Sequence, residues 1–419
     1  MLDIKFIRDN KDLLKQNCKN RNVEVDIDRL IEVDGLRRTK IGEVEELRAM
    51  RKAGSKAKPT SEEIERMRVV GEEIKQKETE LAAIEIEYTE MMIRVPNITH
   101  PETPIGGEDS YRVFETIGEP TQFDFTPKDH EELLTNLNLI DFERGAKVAG
   151  GKFFFSKGDL VRLNQALIHY GIDVVTAHGY ELIETPDLAR NEILQGIGFN
   201  PRGLESQIYS IENMDLSLIG TAEITVGGYH KDEILDLTPG PKKYVALSHC
   251  FRTEAGAYGR ESKGLYRVHQ FTKLEMFVYC KPEDSEAMHQ ELLAIEKEIC
   301  DGLGLSYRVI DIASGDLGGP AYRKFDIEAW MTMNGSASSP QGGFGEITST
   351  SNCTDYQARR LNIRYRTENG ETNFVHTLNG TAIVTSRFPI AIVEQYQQEN
   401  GTIKMPEVLQ KYLGKKIIG

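Results

Sequence analysis

Arg252, Glu254, Arg267 and Glu275 are the residues of this sequence whose types and spacing point most directly to chemistry. They lie in the run F-R-T-E-A-G-A-Y-G-R-E-S-K-G-L-Y-R-V-H-Q-F-T-K-L-E, residues 251–275, with a glycine-containing turn between its halves. On a strand, residues i and i+2 point the same way, so Arg252 and Glu254 would share one face. Arg267 and Glu275 would sit on the returning strand, an even number of residues apart. A guanidinium matches phosphate oxygens in bidentate geometry. The pattern therefore predicts a polyphosphate held on an antiparallel sheet, with Phe271 placed to flank a bound base. The competing reading is a hairpin with ordinary surface charge, since exposed ion pairs are common and weak.

Three further stretches carry chemistry. In L-I-G-T-A-E, residues 218–223, Thr221 and Glu223 would alternate onto one face of a strand. A carboxylate beside a hydroxyl suits an α-ammonium group and a small polar side chain. F-D-I-E-A-W-M, residues 325–331, alternates Asp326 and Glu328 and holds the single tryptophan; G-E-I-T-S-T-S-N-C-T-D-Y-Q-A-R-R follows at 345–360. H-T-L-N-G-T-A-I-V-T-S-R-F-P closes the set at 376–389, and its Pro389 is tolerable only in the first turn of a following helix. Common alternatives are missing. Gly198–Gly203 and Gly259–Gly264 are each followed by Leu, so neither is a phosphate-binding P-loop, and no G-x-G-x-x-G run exists. His130 has no partner for H-E-x-x-H, and the five cysteines form no C-x-x-C pair, which argues against zinc and against a disulfide framework. Cys353 reads as a buried structural thiol and His100 as a solvated loop residue.

These residues need a scaffold, and 419 residues accommodate two domains. No apolar run approaches the roughly 18 residues of a membrane span. The opening M-L-D-I-K-F-I-R-D-N lacks a signal-peptide core, so a reducing cytoplasm is expected. The formal charge of −15 disfavours a nucleic-acid protein overall. Residues 47–60 are the exception: Arg48, Arg51, Lys52, Lys56 and Lys58 occur there with no acid among them.

From about residue 28 to 92 the apolar residues fall at helical spacing. Ile41, Val44 and Leu47 keep step, as do Ile64, Met67, Ile74, Leu81, Ile84, Tyr88 and Met91, while Gly35 weakens the first stretch. Thr60 and Glu63 form a T-x-x-E capping box that should open a second helix after a basic turn. Two antiparallel helices with a basic tip read as an arm for a polyanion, or as a dimerisation coiled coil. Residues 95–120, dense in Pro and Gly, read as a linker. Beyond it, strand-like and helical runs alternate, including a helix at 160–171 and a strand at 179–186 ending in Pro186.

F-R-x-E-A-G-x-x-G followed by G-L-x-R-x-H-Q-F-x-K-x-E resembles motif 2 of the class II aminoacyl-tRNA synthetases, in the version of the seryl-tRNA synthetases. Residues 179–186 resemble motif 1, 376–389 resemble motif 3, and the N-terminal helices resemble the arm with which that family contacts the variable arm of its tRNA. The resemblance spans essentially the whole chain. It implies an α+β fold: an antiparallel class II catalytic sheet flanked by helices (101–419) and an N-terminal tRNA-binding coiled-coil arm (1–100). It implies ATP-dependent activation of L-serine to seryl-adenylate, then transfer to tRNA(Ser) and, where the host has one, tRNA(Sec).

Carried over by position, Arg252 would hold the α-phosphate and Arg387 the γ-phosphate. Thr253, Glu254, Val268, Phe271, Glu346, Ile347, Thr348 and Ser349 would complete the ATP site, with Glu346 and Ser349 as ligands of Mg2+. Thr221, Ala222, Glu223, Arg252, Glu275, Asn379 and Thr381 would bind serine. The five basic residues of the tip would touch tRNA, and the 179–186 strand would form a homodimer. His269 is not needed as a base, because the attacking carboxylate is already ionised at neutral pH. The chain departs from the family in having Gly220 where Pro is usual, and T-S-R-F-P at 385–389. Two rivals remain: a carrier-protein-loading paralogue, which would have a shorter arm and often a zinc site, and a non-catalytic coiled-coil scaffold.

Overall fold

Apolar side chains at three-and-four spacing make the N-terminal region helical, and in the remainder near-continuous apolar runs make strands buried on both faces, with helices between them. The computed structural model describes residues 1–54, 60–199, 207–254, 263–334 and 342–419. Two units are found, Met1–Ile98 and Thr99–Gly419.

The first unit contains α1 (Ile4–Asp9), α2 (Lys11–Asn20), α3 (Ile27–Gly54) and α4 (Ser61–Arg94). Ion pairs Arg29–Glu87 at 2.9 Å, Lys40–Glu80 at 2.9 Å and Arg48–Glu78 at 2.7 Å climb one helix as they descend the other. The two long helices are therefore antiparallel. Val44 and Ile74 are buried in their seam, whereas Ile64 is 56% exposed. The capping box forms as predicted: Thr60 Oγ1 accepts from the Glu63 N–H at 3.2 Å, and the Glu63 carboxylate accepts from the Thr60 N–H at 2.8 Å. Gly35 does not interrupt α3. Of the basic tip, Arg48, Arg51 and Lys52 end α3, while Lys56 and Lys58 lie outside the described residues.

The second unit is built on an eight-stranded sheet: β1 (Arg112–Ile117), β2 (Glu181–Glu184), β3 (Lys242–Phe251), β4 (Gln270–Cys280), β5 (Tyr307–Asp311), β6 (Arg323–Met331), β7 (Gly343–Asn352) and β8 (His376–Val384). Its order is β1-β5-β6-β7-β8-β4-β3-β2, and only the β2–β3 pair is parallel. Helices α5 (His130–Asn136), α6 (Asp159–Ala177), α7 (Ala222–Gly228), α8 (Ser285–Gly302) and α9 (Phe388–Gln395) accompany it. Both faces are covered. Leu274, Met276 and Val278 of β4 enter one apolar core with α6 and α8, and the alternate residues Phe277 and Tyr279 enter a second core with α7. No described helix is long and apolar enough to cross a membrane.

The structure corrects several sequence readings. The 95–120 segment is not all linker, because residues 112–117 form edge strand β1 against β5. His100 is not simply solvated: its ring meets Tyr322 edge-on at 5.1 Å and its N–H bonds the Tyr322 carbonyl. Thr221 and Glu223 do not alternate on a strand, since Thr221 caps α7 and Glu223 lies in its first turn. Arg252, Glu254 and Arg267 lie just beyond the strand ends rather than within β3 and β4. Cys353 is buried, as expected.

Gly171 shows how closely helix and sheet approach. A Cβ there would come within 2.6 Å of Ile383 Cγ1 and 3.1 Å of Leu274 Cδ2. Helix propensity alone would make Gly→Ala favourable by about 1 kcal/mol. The contact outweighs that gain, because overpacking a buried site costs roughly 1–3 kcal/mol. Gly171→Ala is therefore expected to lower the urea midpoint; a raised midpoint would show that α6 and the sheet are loosely packed.

Candidate active site

Register decides which side chains meet. In the β8–β4 pair Thr381 stands opposite Glu275 and Asn379 opposite Phe277. Directly opposed residues share a face, so Asn379 and Thr381 both look toward Glu275. Glu275 is 1% exposed. It accepts from Thr381 Oγ1 at 3.1 Å and from Asn379 Nδ2 at 3.2 Å, and pairs with Lys273 at 2.7 Å. Glu223 arrives from the first turn of α7, where Gln357 Nε2 donates to it at 2.8 Å. Asn379 Nδ2 lies 3.4 Å from its other oxygen. With carboxylates on that side, the Asn379 amide must present its NH2 there. Its Oδ1 is buried and bonds no described residue, so a ligand's donor reaches it only if the side chain turns. Burial first, and then Glu275, push Glu223 up to about 7, against Gln357, Lys273 and Arg252.

Glu223, Lys273, Glu275, Asn379 and Thr381 line one side of a cavity of about 230 Å³, with Gln357 behind them. The other side is cationic. Arg252 donates from Nε to the Gly220 carbonyl at 3.2 Å, and its guanidinium stands 5.3 Å from the Phe271 ring centre. Thus Gly220 supports Arg252 through its carbonyl, which no side chain need supply. Glu254 takes φ +47°, rare without a glycine, and its carboxylate is 3.5 Å from Arg267. Arg387 caps α9, with Pro389 in the first turn where its missing N–H costs nothing. The Arg387 guanidinium donates to the carbonyls of Tyr266 at 2.8 Å and Glu346 at 2.6 Å, and lies 3.8 Å from the Tyr266 ring centre.

Glu346 and Ser349 are three apart on β7 and would face opposite ways on a regular strand. The register shift against β6, where Ile327 pairs Thr348 and Glu328 pairs Glu346, leaves Ile347 as an extra residue. This bulge reverses the alternation, and both side chains reach the cavity. Burial opposes the charge on Glu346, but Arg387 and then Lys324, Arg252 and Arg267 outweigh it and hold the carboxyl below its ordinary range. An ionised carboxylate beside a hydroxyl is a hard oxygen donor pair that fits Mg2+.

Most residues named from the sequence line this cavity, Val268 and Thr348 among them. Thr253 and Ala222 do not: the Thr253 N–H bonds the Gln207 carbonyl, and Ala222 is fully buried. The centre of the motif 2 turn, residues 255–262, lies outside the described residues. His269 Nδ1 faces the Arg252 carbonyl at 2.9 Å and must donate to it, which fits a role in holding the backbone. Sequence reasoning missed Lys273, Gln357 and Tyr266. Lys273 was legible, being two residues from Glu275 on one strand face, whereas Gln357 and Tyr266 matter only through folded contacts.

Comparison with known proteins agrees along the whole chain. Residues 208–396 match the tRNA synthetase class II core domain (G, H, P, S and T), and residues 1–99 match the seryl-tRNA synthetase N-terminal domain. The chain is 52% identical to a serine-tRNA ligase of Treponema denticola, with 100% of both sequences covered. It is 50% identical to that of Rubrobacter xylanophilus, covering 100% of this chain and 99% of the relative. The crystal structure of seryl-tRNA synthetase from Pyrococcus horikoshii complexed with ATP superposes with a TM-score of 0.89 at 37% identity, covering 100% of this chain and 99% of that one.

The Glu223 environment has a pH consequence. A carboxyl at about 7 is largely protonated at pH 6 and largely ionised at pH 8. Only the ionised form attracts an ammonium group, so the affinity for a small amino acid should rise with pH, by at most about tenfold per unit below that value. Calorimetric titration of serine between pH 6 and 8 should show the rise, and Glu223→Gln should flatten it.

Proposed function

The chain belongs to the seryl-tRNA synthetases, and on that premise we propose how its residues divide the work. The enzyme uses ATP to activate L-serine and transfers the seryl group to tRNA(Ser). The serine carboxylate attacks the α-phosphorus of ATP, forming the mixed anhydride and expelling pyrophosphate. A ribose hydroxyl at the tRNA 3′ end then takes the acyl group and AMP leaves.

The observation that carries the assignment of roles is the two-sided cavity: carboxylates and the Asn379 amide at one end, guanidiniums at the other. Serine's ammonium is placed against Glu223, and its hydroxyl among Glu275, Asn379 and Thr381. A methyl-bearing or larger side chain would crowd this end, while an apolar one would leave buried polar groups unmatched. Arg252, whose charge acts on both Glu223 and Glu346, is assigned the α-phosphate. Arg387 is assigned the γ-phosphate, and Phe271, Val268 and Glu254 the adenine. Glu346 and Ser349 would hold Mg2+, which supplies charge neutralisation for the polyphosphate. No general base is required; positioning and preorganised charge provide the acceleration.

The N-terminal unit, with boundary residues near 98–100, is proposed to grip tRNA through Arg48, Arg51, Lys52, Lys56 and Lys58. Service to tRNA(Sec) would follow in a host that has it, as would work in the cytoplasm. Homodimerisation is proposed at β2. This strand is the sheet edge, and Leu182, Leu188 and Tyr229 beside it are exposed by 47%, 39% and 61%. Leu188 and Tyr229 line, with Ile183, an apolar cavity of about 370 Å³ that a second copy would cover.

Two measurements test these roles. Arg252→Ala and Arg387→Ala should each remove about 3 kcal/mol of transition-state stabilisation, on the order of a hundredfold in kcat/KM for serine-dependent pyrophosphate exchange. Exchange at the wild-type rate by either folded variant would defeat the phosphate assignment. Neutralising the five basic tip residues should weaken tRNA binding and flatten its log–log salt slope by about 0.9 per lost phosphate contact. An unchanged slope would move the tRNA surface elsewhere on the arm.

A further inference from the structure

A buried polar cluster adjoins the phosphate side of the cavity and has no part in the roles above. His130 opens α5 and Glu394 lies in α9, and both are fully buried. Glu394 Oε1 accepts from the His130 backbone N–H at 2.7 Å and faces His130 Nδ1 at 2.8 Å. Its Oε2 accepts from the Met333 backbone N–H at 3.0 Å. The other ring nitrogen, Nε2, accepts the backbone N–H of Leu265 at 3.0 Å. A ring nitrogen that accepts an N–H carries no proton, so the proton is on Nδ1 and is donated to Glu394. The neutral imidazole thus links α9 to the chain just before Tyr266. Gly264 is required by the same closeness: its φ is +55°, and a Cβ would stand 2.2 Å from His130 Nε2.

Tyr266 is one of two residues that hold Arg387, through its carbonyl at 2.8 Å and its ring at 3.8 Å; the other is Glu346 of β7, whose carbonyl accepts from the guanidinium at 2.6 Å. Arg387 in turn caps the helix that carries Glu394. The arginine's helix and one of its two supports are therefore tied to one imidazole. The serine-facing groups are not: Glu223, Glu275, Asn379 and Thr381 stand on α7, β4 and β8 and share no hydrogen bond with this cluster.

We propose that His130 is a positioning residue for ATP, clamping Leu265 to α9 through Glu394 so that Tyr266 aims the Arg387 guanidinium at the nucleotide phosphates. The proposal rests on the assignment of Arg387 to phosphate. A buried N–H deprived of its acceptor must find another by moving, and here the movement would be passed directly to Tyr266.

Serine-dependent ATP–pyrophosphate exchange on the full chain, with KM measured separately for ATP and serine, tests it. His130→Leu keeps most of the volume and removes both hydrogen bonds. It should raise the KM for ATP about tenfold, the scale of one buried unsatisfied donor, and leave the KM for serine unchanged. His130→Gln restores an acceptor near Nε2 and should recover most of the loss, which a packing role would not allow. Glu394→Gln should show the same split in smaller degree, and it provides the measurement if His130→Leu does not fold. Arg387→Ala, run alongside, separates the two levels. If Arg387→Ala leaves exchange intact, the phosphate assignment falls and the proposal with it. If Arg387→Ala abolishes exchange while the folded His130 or Glu394 variants keep the wild-type KM for ATP, or raise both KM values equally, His130 has no positioning role.

Discussion

A carboxylate buried as deeply as Glu275 costs several kcal/mol unless partners replace its water, and the cavity is organised around supplying them. One partner comes from the same strand: Lys273, two residues back, shares its face. The others, Thr381 and Asn379, come from the neighbouring strand and depend on a single register. A slip of one residue would turn both away and bury an unpaired charge. The same register draws Glu223 into the cluster through Asn379 and Gln357, so two carboxyls share one low-dielectric space. That proximity, after burial itself, is why Glu223 is pushed up to about 7.

Two irregularities in the sheet serve this arrangement. Ile347 is an extra residue of β7 against β6, and Ala382 is one of β8 against β4. Each interrupts period-two alternation beside the cavity. The first brings Glu346 and Ser349 onto one face. The second falls just after Thr381, where β8 begins to turn toward Arg387. Bulges at such places re-aim side chains at little cost to the rest of the ladder. Glu254, with its positive φ, is a third local departure, at the point where the chain leaves β3 and its carboxylate must come near Arg267.

Beneath the sheet the accounting is different. Glu296 of α8 is 1% exposed, and burial raises it far above the ordinary carboxylate range. A Cβ at Gly380 would come within 2.9 Å of its Oε1. The backbone of β8 between Asn379 and Thr381 therefore rests directly on a buried acid, which explains why a glycine separates two cavity-facing side chains. The side of the sheet away from the cavity is thus not passive apolar filling, since Glu296 presses on the strand that carries Asn379 and Thr381.

The sequence by itself determined the helical arm, its capping box, the sheet-based body and the identity of most cavity residues. Each of these is written in local terms: apolar period, a cap motif, or a run of residues whose types suit phosphate and ammonium. The tertiary structure alone decided what those residues do to one another. Thr221 and Glu223 read as strand alternation and proved to be a helix cap and first turn, because burial of α7 against β3 and β4 overrides a short period-two pattern. Residues 112–117 read as linker and became an edge strand, since pairing with β5 is a non-local gain no window can display. Glu346 and Ser349 share a face only because Ile347 is unpaired. Gln357, Tyr266, His130 and Glu394 were silent in the sequence, for a hydrogen bond between residues more than a hundred positions apart leaves no trace in spacing. Residue type is a local property of the chain, whereas partner, burial and proton position are properties of the packed fold.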